Sequence, residues 1–149
     1  MADETRIKWL YPPNFEGTFD AGTKNGHRRY TVLCTNYSDG TGEDHAIKVK
    51  RTDLLTVDGK VPSKLVVEKI NYQISGMTVR ISFNNINDEE IALLYESVGT
   101  IDFTPQGGFC PEDDVLTGED DYAGDIIFTT ANETLGDSYD ITMTVRPKA

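Results

Sequence analysis

The sequence predicts an all-β protein, an antiparallel β-sandwich or jelly-roll-like barrel with an extended N-terminal arm. Thr, Val and Ile make up about a quarter of the 149 residues, and their branched side chains suit strands better than helices. Roughly seven to nine alternating runs, separated by Gly- and Pro-containing turns, are typical of sandwiches and barrels. We therefore expect a single β domain at residues 29–149, preceded by the arm at residues 1–28.

The arm is predicted from aromatic residues that follow no strand period. A Tyr-Pro-Pro-Asn sequence at residues 11–14 disfavours a helix, because the residue before a proline avoids the helical conformation. Aromatic anchors dominate protein interfaces, so we predict that this stretch contacts a neighbouring chain. The predicted interface residues are Trp9, Tyr11, Phe15 and Phe19. The alternative is ordinary packing, with a first edge strand followed by a loop.

Two strands are predicted next, at residues 29–36 and 45–51, on either side of an Asp-Gly-Thr-Gly turn. Cys34 lies on the apolar face of the first strand, so we expect its thiol to be buried and unreactive. In the second strand, apolar residues alternate with cations. We interpret these cations as a solvated strand face rather than a contact surface: Lys48, Lys50 and Arg51.

The clearest local pattern covers residues 65–84, and its two alternating runs fall within residues 70–83. Two alternating apolar runs flank Ser75 and Gly76, and this arrangement predicts a β-hairpin. The alternation slips between Val67 and Ile70, which predicts a β-bulge at that point.

The last third of the chain predicts further strands around an acidic loop. Residues 89–96 fit either a short helix or a strand, and residues 101–103 fit a short strand. The final strand pair is expected at residues 124–130 and 138–145. The second member of that pair alternates, which predicts four core side chains: Tyr139, Ile141, Met143 and Val145.

The charge of the chain argues against polyanionic partners. The net charge is −11, with a balance of +2 in residues 1–80 and −13 in residues 81–149. Affinity for nucleic acids and anionic lipid surfaces comes largely from Lys and Arg, so we expect neither partner. No apolar stretch approaches the ~20 residues of a membrane-spanning helix. We expect the near-neutral first half to face a partner and the acidic second half to face water.

The sequence offers little for catalysis. His27 and His45 are the only histidines, and no motif of a hydrolase, metalloprotease or nucleotide-binding site is present. We therefore expect neither an enzyme nor a cofactor. Cys34 and Cys110 are too few to define a disulfide framework, and whether they pair is left open.

One acidic constellation could bind calcium, because hard cations prefer carboxylate oxygens. It consists of residues 112–114, residues 119–121 and Asp125. Its spacing is not that of an EF-hand. A solvated loop, or a loop opposite a basic neighbour, is the preferred interpretation, and no metal site is predicted.

Four segments resemble small virion structural proteins of tailed bacteriophages. They are residues 64–79 (KLVVEKINYQISGMTV), 101–108 (IDFTPQGG), 124–130 (GDIIFTT) and 136–142 (GDSYDIT). The resemblance covers roughly residues 64–146, which is over half of the chain. They combine turn and strand residues, so they specify the fold more than any chemistry.

The resemblance implies a virion component made in the host cytoplasm. A small acidic β domain suits a capsid decoration (cement) protein, which binds the outer surface of the major capsid protein shell and stabilises it. Its partners would be the major capsid protein and copies of itself in a homotrimer. The alternatives are another virion component, such as a tail-tube, head-completion or fibre-associated protein, or a carbohydrate-binding β-sandwich that uses Trp9.

Overall fold

The computed structural model describes residues 3–12, 15, 26–84, 89–110 and 124–148. Within these ranges the chain is all-β and contains no α-helix, as the composition predicts. The strands are β1 (Glu4–Tyr11), β2 (Tyr30–Asp39), β3 (Ala46–Val49), β4 (Lys64–Ser75), β5 (Thr78–Phe83), β6 (Glu89–Leu94), β7 (Val98–Asp102), β8 (Ile126–Ala131) and β9 (Leu135–Lys148). Two 3-10 turns occur, at Arg51–Asp53 and Thr104–Gln106.

The strands form two antiparallel sheets. The order is β1-β2-β9-β4-β7 in the five-stranded sheet and β3-β8-β5-β6 in the four-stranded sheet. Strand β9, from the acidic second half, lies between β2 and β4 from the first half. Strand β8, also from the second half, lies between β3 from the first half and β5, which crosses the boundary between the halves. The two halves of the chain are therefore interleaved, and the expectation that they form separate faces is wrong.

The predicted hairpin at residues 70–83 is wrong in its pairing. Strand β4 belongs to the five-stranded sheet and β5 to the four-stranded sheet, so the turn at Gly76 crosses between the sheets. Gly76 has a φ of +84°, a value that favours glycine. An alternating run buries one face in either arrangement, and local periodicity cannot distinguish a hairpin from a crossover. The same reason explains why β8 and β9, the expected last pair, do not pair with each other.

The predicted bulge is present in β4. The register against β9 shifts between Val67 and Lys69, so Glu68 is the extra residue. Its carboxylate is buried, accepts hydrogen bonds from Arg29 Nε at 2.6 Å and Nη2 at 3.4 Å, and lies 3.5 Å from Arg146 Nε. The ambiguous segment at residues 89–96 contains strand β6.

One hydrophobic core draws on both sheets. The five-stranded sheet contributes Tyr30, Val32, Cys34, Leu65, Val67, Ile70, Ile74, Tyr139, Ile141, Met143 and Val145. The four-stranded sheet and its ends contribute Val49, Val79, Ile81, Phe83, Ile91, Leu94, Ile126 and Phe128. The predicted burial of Cys34 and of the four alternating side chains of β9 is confirmed.

Candidate functional site

The part of the predicted arm that the structure describes includes an edge strand. Residues Glu4–Tyr11 form β1, which pairs with β2 from Glu4 opposite Tyr37 to Tyr11 opposite Thr31. No described strand pairs with the other edge of β1. Seven of its eight side chains are exposed, and Trp9 is partly buried.

The predicted interface residues have different environments. The ring of Trp9 packs edge-on against the rings of Phe15 and of the core residue Tyr30, with 5.0 Å and 6.3 Å between ring centroids. Tyr11 is half exposed and lies against His27, with 6.1 Å between ring centroids. Phe19 lies outside the described residues. The structure thus brings Trp9 and Phe15 together at the margin of the core, and their role in an interface stays a prediction.

Asp3 fixes the start of β1. Its Oδ1 accepts hydrogen bonds from Ser38 Oγ, Asp39 N and Gly42 N, all at 3.1 Å. Its Oδ2 accepts one from Asn36 Nδ2 at 3.0 Å. Partial burial raises the pKa of Asp3, but the hydrogen bonds outweigh it and hold the pKa below its usual value. The strand is therefore fixed by a carboxylate before its first residue and by the Trp9 ring near its end.

Along its length, β1 presents apolar and cationic side chains to solvent. Ile7, Leu10 and Tyr11 are 43%, 44% and 49% exposed. Arg6 is 76% exposed and contacts Glu4 at 2.9 Å, whereas Lys8 has no ion-pair partner among the described residues. The sequence interpretation missed Arg6 and Lys8 as interface candidates. Their alternation with Ile7 and Trp9 is the period-two signal that could have identified this strand.

A buried polar cluster lies next to the Asp3 anchor. Glu43 accepts hydrogen bonds from Asn36 Nδ2 at 2.8 Å and from the Tyr139 hydroxyl, and it forms an ion pair with Lys48. The side chains of Lys48 and Glu43 are only 4% and 8% exposed. The prediction of a solvated Lys48 is therefore wrong. Its ammonium group is buried, pairs with the carboxylate of Glu43, and lies 5.7 Å from the centroid of the Phe128 ring.

This cluster is built for structure rather than for proton transfer near neutral pH. Burial, followed by the charge of the Glu43 carboxylate, raises the pKa of Tyr139 far above its ordinary value. Burial also raises the pKa of the Cys34 thiol to about 12, which keeps it protonated. Cys34 and Cys110 are both free.

The described residues contain no group of three or more His, Cys, Asp and Glu side chains that could hold a metal ion. The carboxylates of residues 112–114 and 119–121 lie outside the described ranges. Asp125 is buried, and its Oδ1 accepts a hydrogen bond from Arg51 N at 2.8 Å. Burial raises the pKa of Asp125 to about 6. Its described contacts are thus those of a carboxyl group that holds the Arg51 turn.

A cleft of about 240 Å³ lies at one end of the five-stranded sheet, and it is lined by Gln73, Ser75, Ser138, Tyr139 and Asp140. These side chains include two serine hydroxyls and one carboxylate but no histidine, lysine or cysteine. Neither serine has a base of the kind that activates a nucleophile among these lining residues. The cleft therefore gives no support to a catalytic assignment.

Comparison with known proteins finds no matching family model, no matching curated protein and no matching solved structure. Within the described ranges, none of the helical segments is long and apolar enough to span a membrane. The function is therefore inferred from the residues of the chain itself.

Proposed function

We propose that this chain is a virion structural protein of a tailed bacteriophage, and more specifically a capsid decoration protein. In this role it binds the outer surface of the major capsid protein shell, as a homotrimer, and stabilises the shell. The resemblance of residues 64–79, 101–108, 124–130 and 136–142 to small phage virion proteins supports the class of protein. We also propose that the two sheets, which share one core, form a jelly-roll-like sandwich.

The observation that carries the binding role is the exposed edge strand β1. A strand held at both ends loses little conformational freedom on binding, so more of the contact energy appears as affinity. Burial of apolar side chains such as Ile7 and Leu10 contributes about 25 cal/mol per Å². Repeated over many copies on one shell, a modest gain for each copy becomes a large total.

Shell occupancy tests this proposal. Shells assembled from the major capsid protein are mixed with the purified chain, sedimented, and scored for bound copies. The variant Ile7→Ser, Leu10→Ser, Tyr11→Ser should fold normally, because its altered side chains are exposed, and should lose most of its occupancy. Deleting residues 2–20 would be a poorer test, since it removes β1 and the Trp9 ring from the fold.

The matched control is Tyr95→Ser, Val98→Ser, which removes two exposed apolar side chains at and next to β7, the edge of the five-stranded sheet opposite β1. It should keep full occupancy. Full occupancy of the β1 variant would overturn the role of this strand. A few copies per virion, instead of many, would indicate a tail or head-completion component.

A further inference from the structure

We propose that β1 binds its partner by strand addition. An extended acidic segment of the partner protein pairs with the open edge of β1, with its carboxylates opposite Arg6 and Lys8 and its apolar side chains opposite Ile7. This proposal rests on the proposed function in one respect, since the partner would then be the shell protein. The mode of binding is argued below from β1 alone.

The backbone of β1 offers an unpaired edge. Strand β2 pairs with one side of it, and no described strand pairs with the other. In an antiparallel strand, the backbone groups of alternate residues point to opposite edges, so about half of the N–H and C=O groups of β1 face away from β2. Such an edge is a template for an extended peptide, and main-chain hydrogen bonds supply much of the affinity.

Strand β1 suits this use better than the other three sheet edges. It has eight residues, whereas β3, β6 and β7 have four, six and five. Strand β6 also buries Ile91 and Leu94 in the core, so its side chains are committed to stability. On β1 only Trp9 packs against the core, and the other seven side chains are exposed.

The side chains of β1 specify the chemistry of the partner. Successive residues point to opposite faces, so Glu4, Arg6 and Lys8 share the face away from Trp9, and Ile7 shares the face of Trp9. Strand β1 carries two cations and one anion, Glu4, whose carboxylate is already paired with Arg6. The strand is therefore positively charged, although the whole chain has a net charge of −11. A segment in which carboxylates alternate with apolar residues matches both faces at once.

The same charges disfavour a second copy as the occupant. Two β1 strands related by a twofold axis pair residues of the same face. The two registers that pair the most residues of β1 bring cations together, since one centred on Lys8 places it opposite itself and one centred on Ile7 places Arg6 opposite Lys8. Only the shorter registers centred on Thr5 or Arg6 place Glu4 opposite a cation. Like charges directly opposite each other destabilise a strand pair. Cations on an edge strand thus protect it from self-pairing while they attract an acidic strand.

The test uses a synthetic capped peptide as long as β1 in which Glu and Val alternate. Its binding is followed by the fluorescence of Trp9, the single tryptophan of the chain, and by the amide signals of β1 in NMR spectra. We expect saturable binding that weakens with salt. The variant Arg6→Glu, Lys8→Glu should bind about tenfold more weakly or worse. The charge-matched control Lys50→Glu, Lys69→Glu, at exposed positions away from β1, should bind within about twofold of the wild type.

Backbone pairing is tested separately from charge. Two peptides, methylated on the nitrogens of odd or of even residues, should differ in binding, because only one set of N–H groups faces β1. Equal binding of a peptide with Lys in place of Glu would overturn the acidic chemistry proposed for the partner, and equal binding of both methylated peptides would overturn strand addition. So would a failure of the unmethylated Glu peptide to bind, or a sedimentation change showing that the β1 substitutions alter self-association instead.

The two proposals can fail independently. Peptide binding with unchanged shell occupancy of the Ile7→Ser, Leu10→Ser, Tyr11→Ser variant would support strand addition and overturn the role of β1 in shell binding. Loss of occupancy without peptide binding would do the reverse. Failure of the unaltered chain to bind shells would overturn the decoration role itself.

Discussion

Strands β1 and β9 belong to the same sheet and differ in what they contribute. Strand β9 pairs with β2 on one side and β4 on the other, and Tyr139, Ile141, Met143 and Val145 are at most 2% exposed. Strand β1 pairs only with β2, and seven of its eight side chains are exposed. Both alternate polar and apolar residues. Position in the sheet, rather than β propensity, decides that the side chains of β9 are buried in the core and those of β1 are exposed at an edge.

The largest expected difference is between Ile141→Ala and Ile7→Ala. Ile141 is fully buried, so its truncation leaves a cavity and should lower the free energy of unfolding by about 4 kcal/mol. Ile7 is 43% exposed, and its truncation should cost under about 1 kcal/mol. Denaturant unfolding of both variants measures the difference. Equal costs would show that β1 is part of the stabilising core and would end the comparison.

A smaller effect separates the ion pairs of the two regions. Lys48→Met leaves the buried Glu43 without its cation and should lower the free energy of unfolding by about 3 kcal/mol. Arg6→Met breaks the exposed ion pair with Glu4 and should change the free energy of unfolding by at most about 1 kcal/mol. If burial of an unpaired charge is the cause, the double variant Glu43→Gln, Lys48→Met should recover much of the loss. No recovery would assign the effect to packing of Lys48 instead.

A third prediction concerns pH and Asp125. Burial raises the pKa of the Asp125 carboxyl group from its ordinary value of 3.8, so the folded protein binds a proton at this group more tightly than the unfolded chain does. The resulting stability is present below pH 3.8 and is lost as the pH rises through about 6. Asp125→Asn should therefore stabilise the protein by up to about 2 kcal/mol near pH 7, and less toward pH 4. Melting curves across this range check the sign, and a destabilised variant at pH 7 would contradict it.

The smallest predicted effect concerns Asp3, the anchor of β1, and its dependence on pH has the opposite sign to that of Asp125. The pKa of Asp3 is lowered, so its contribution is present above pH 3.8 and is lost as the pH falls through its folded-state pKa. Asp3→Asn should lower the free energy of unfolding by about 1 kcal/mol near neutral pH, because it replaces the charged acceptor of four hydrogen bonds. Hydrogen exchange of the β1 amides should rise before global stability falls. Unchanged β1 exchange would show that Asp3 does not anchor the strand.

Features that depend on neighbours along the chain were predictable. The alternation of β9, the burial of Cys34 and the bulge near Glu68 all follow from which residues are two or three positions apart. The pairing of strands was not predictable, because a crossover at Gly76 and a hairpin there have the same local sequence pattern. The aromatic residues of the candidate site could be selected by type. Its anchor Asp3 could not, since its partners are 33 to 39 residues away along the chain.

The sequence by itself determined an all-β chain, the strands that bury one face, and an N-terminal stretch rich in aromatic residues. Those features arise from side-chain shape and period-two spacing, which are local. Only the tertiary structure decided that β9 is central, that β1 is an edge, and that Lys48 points inward to Glu43. The exposure of a strand and the partner of a charge depend on segments far apart in the chain. Their proximity results from burying one shared core, and no single segment encodes it.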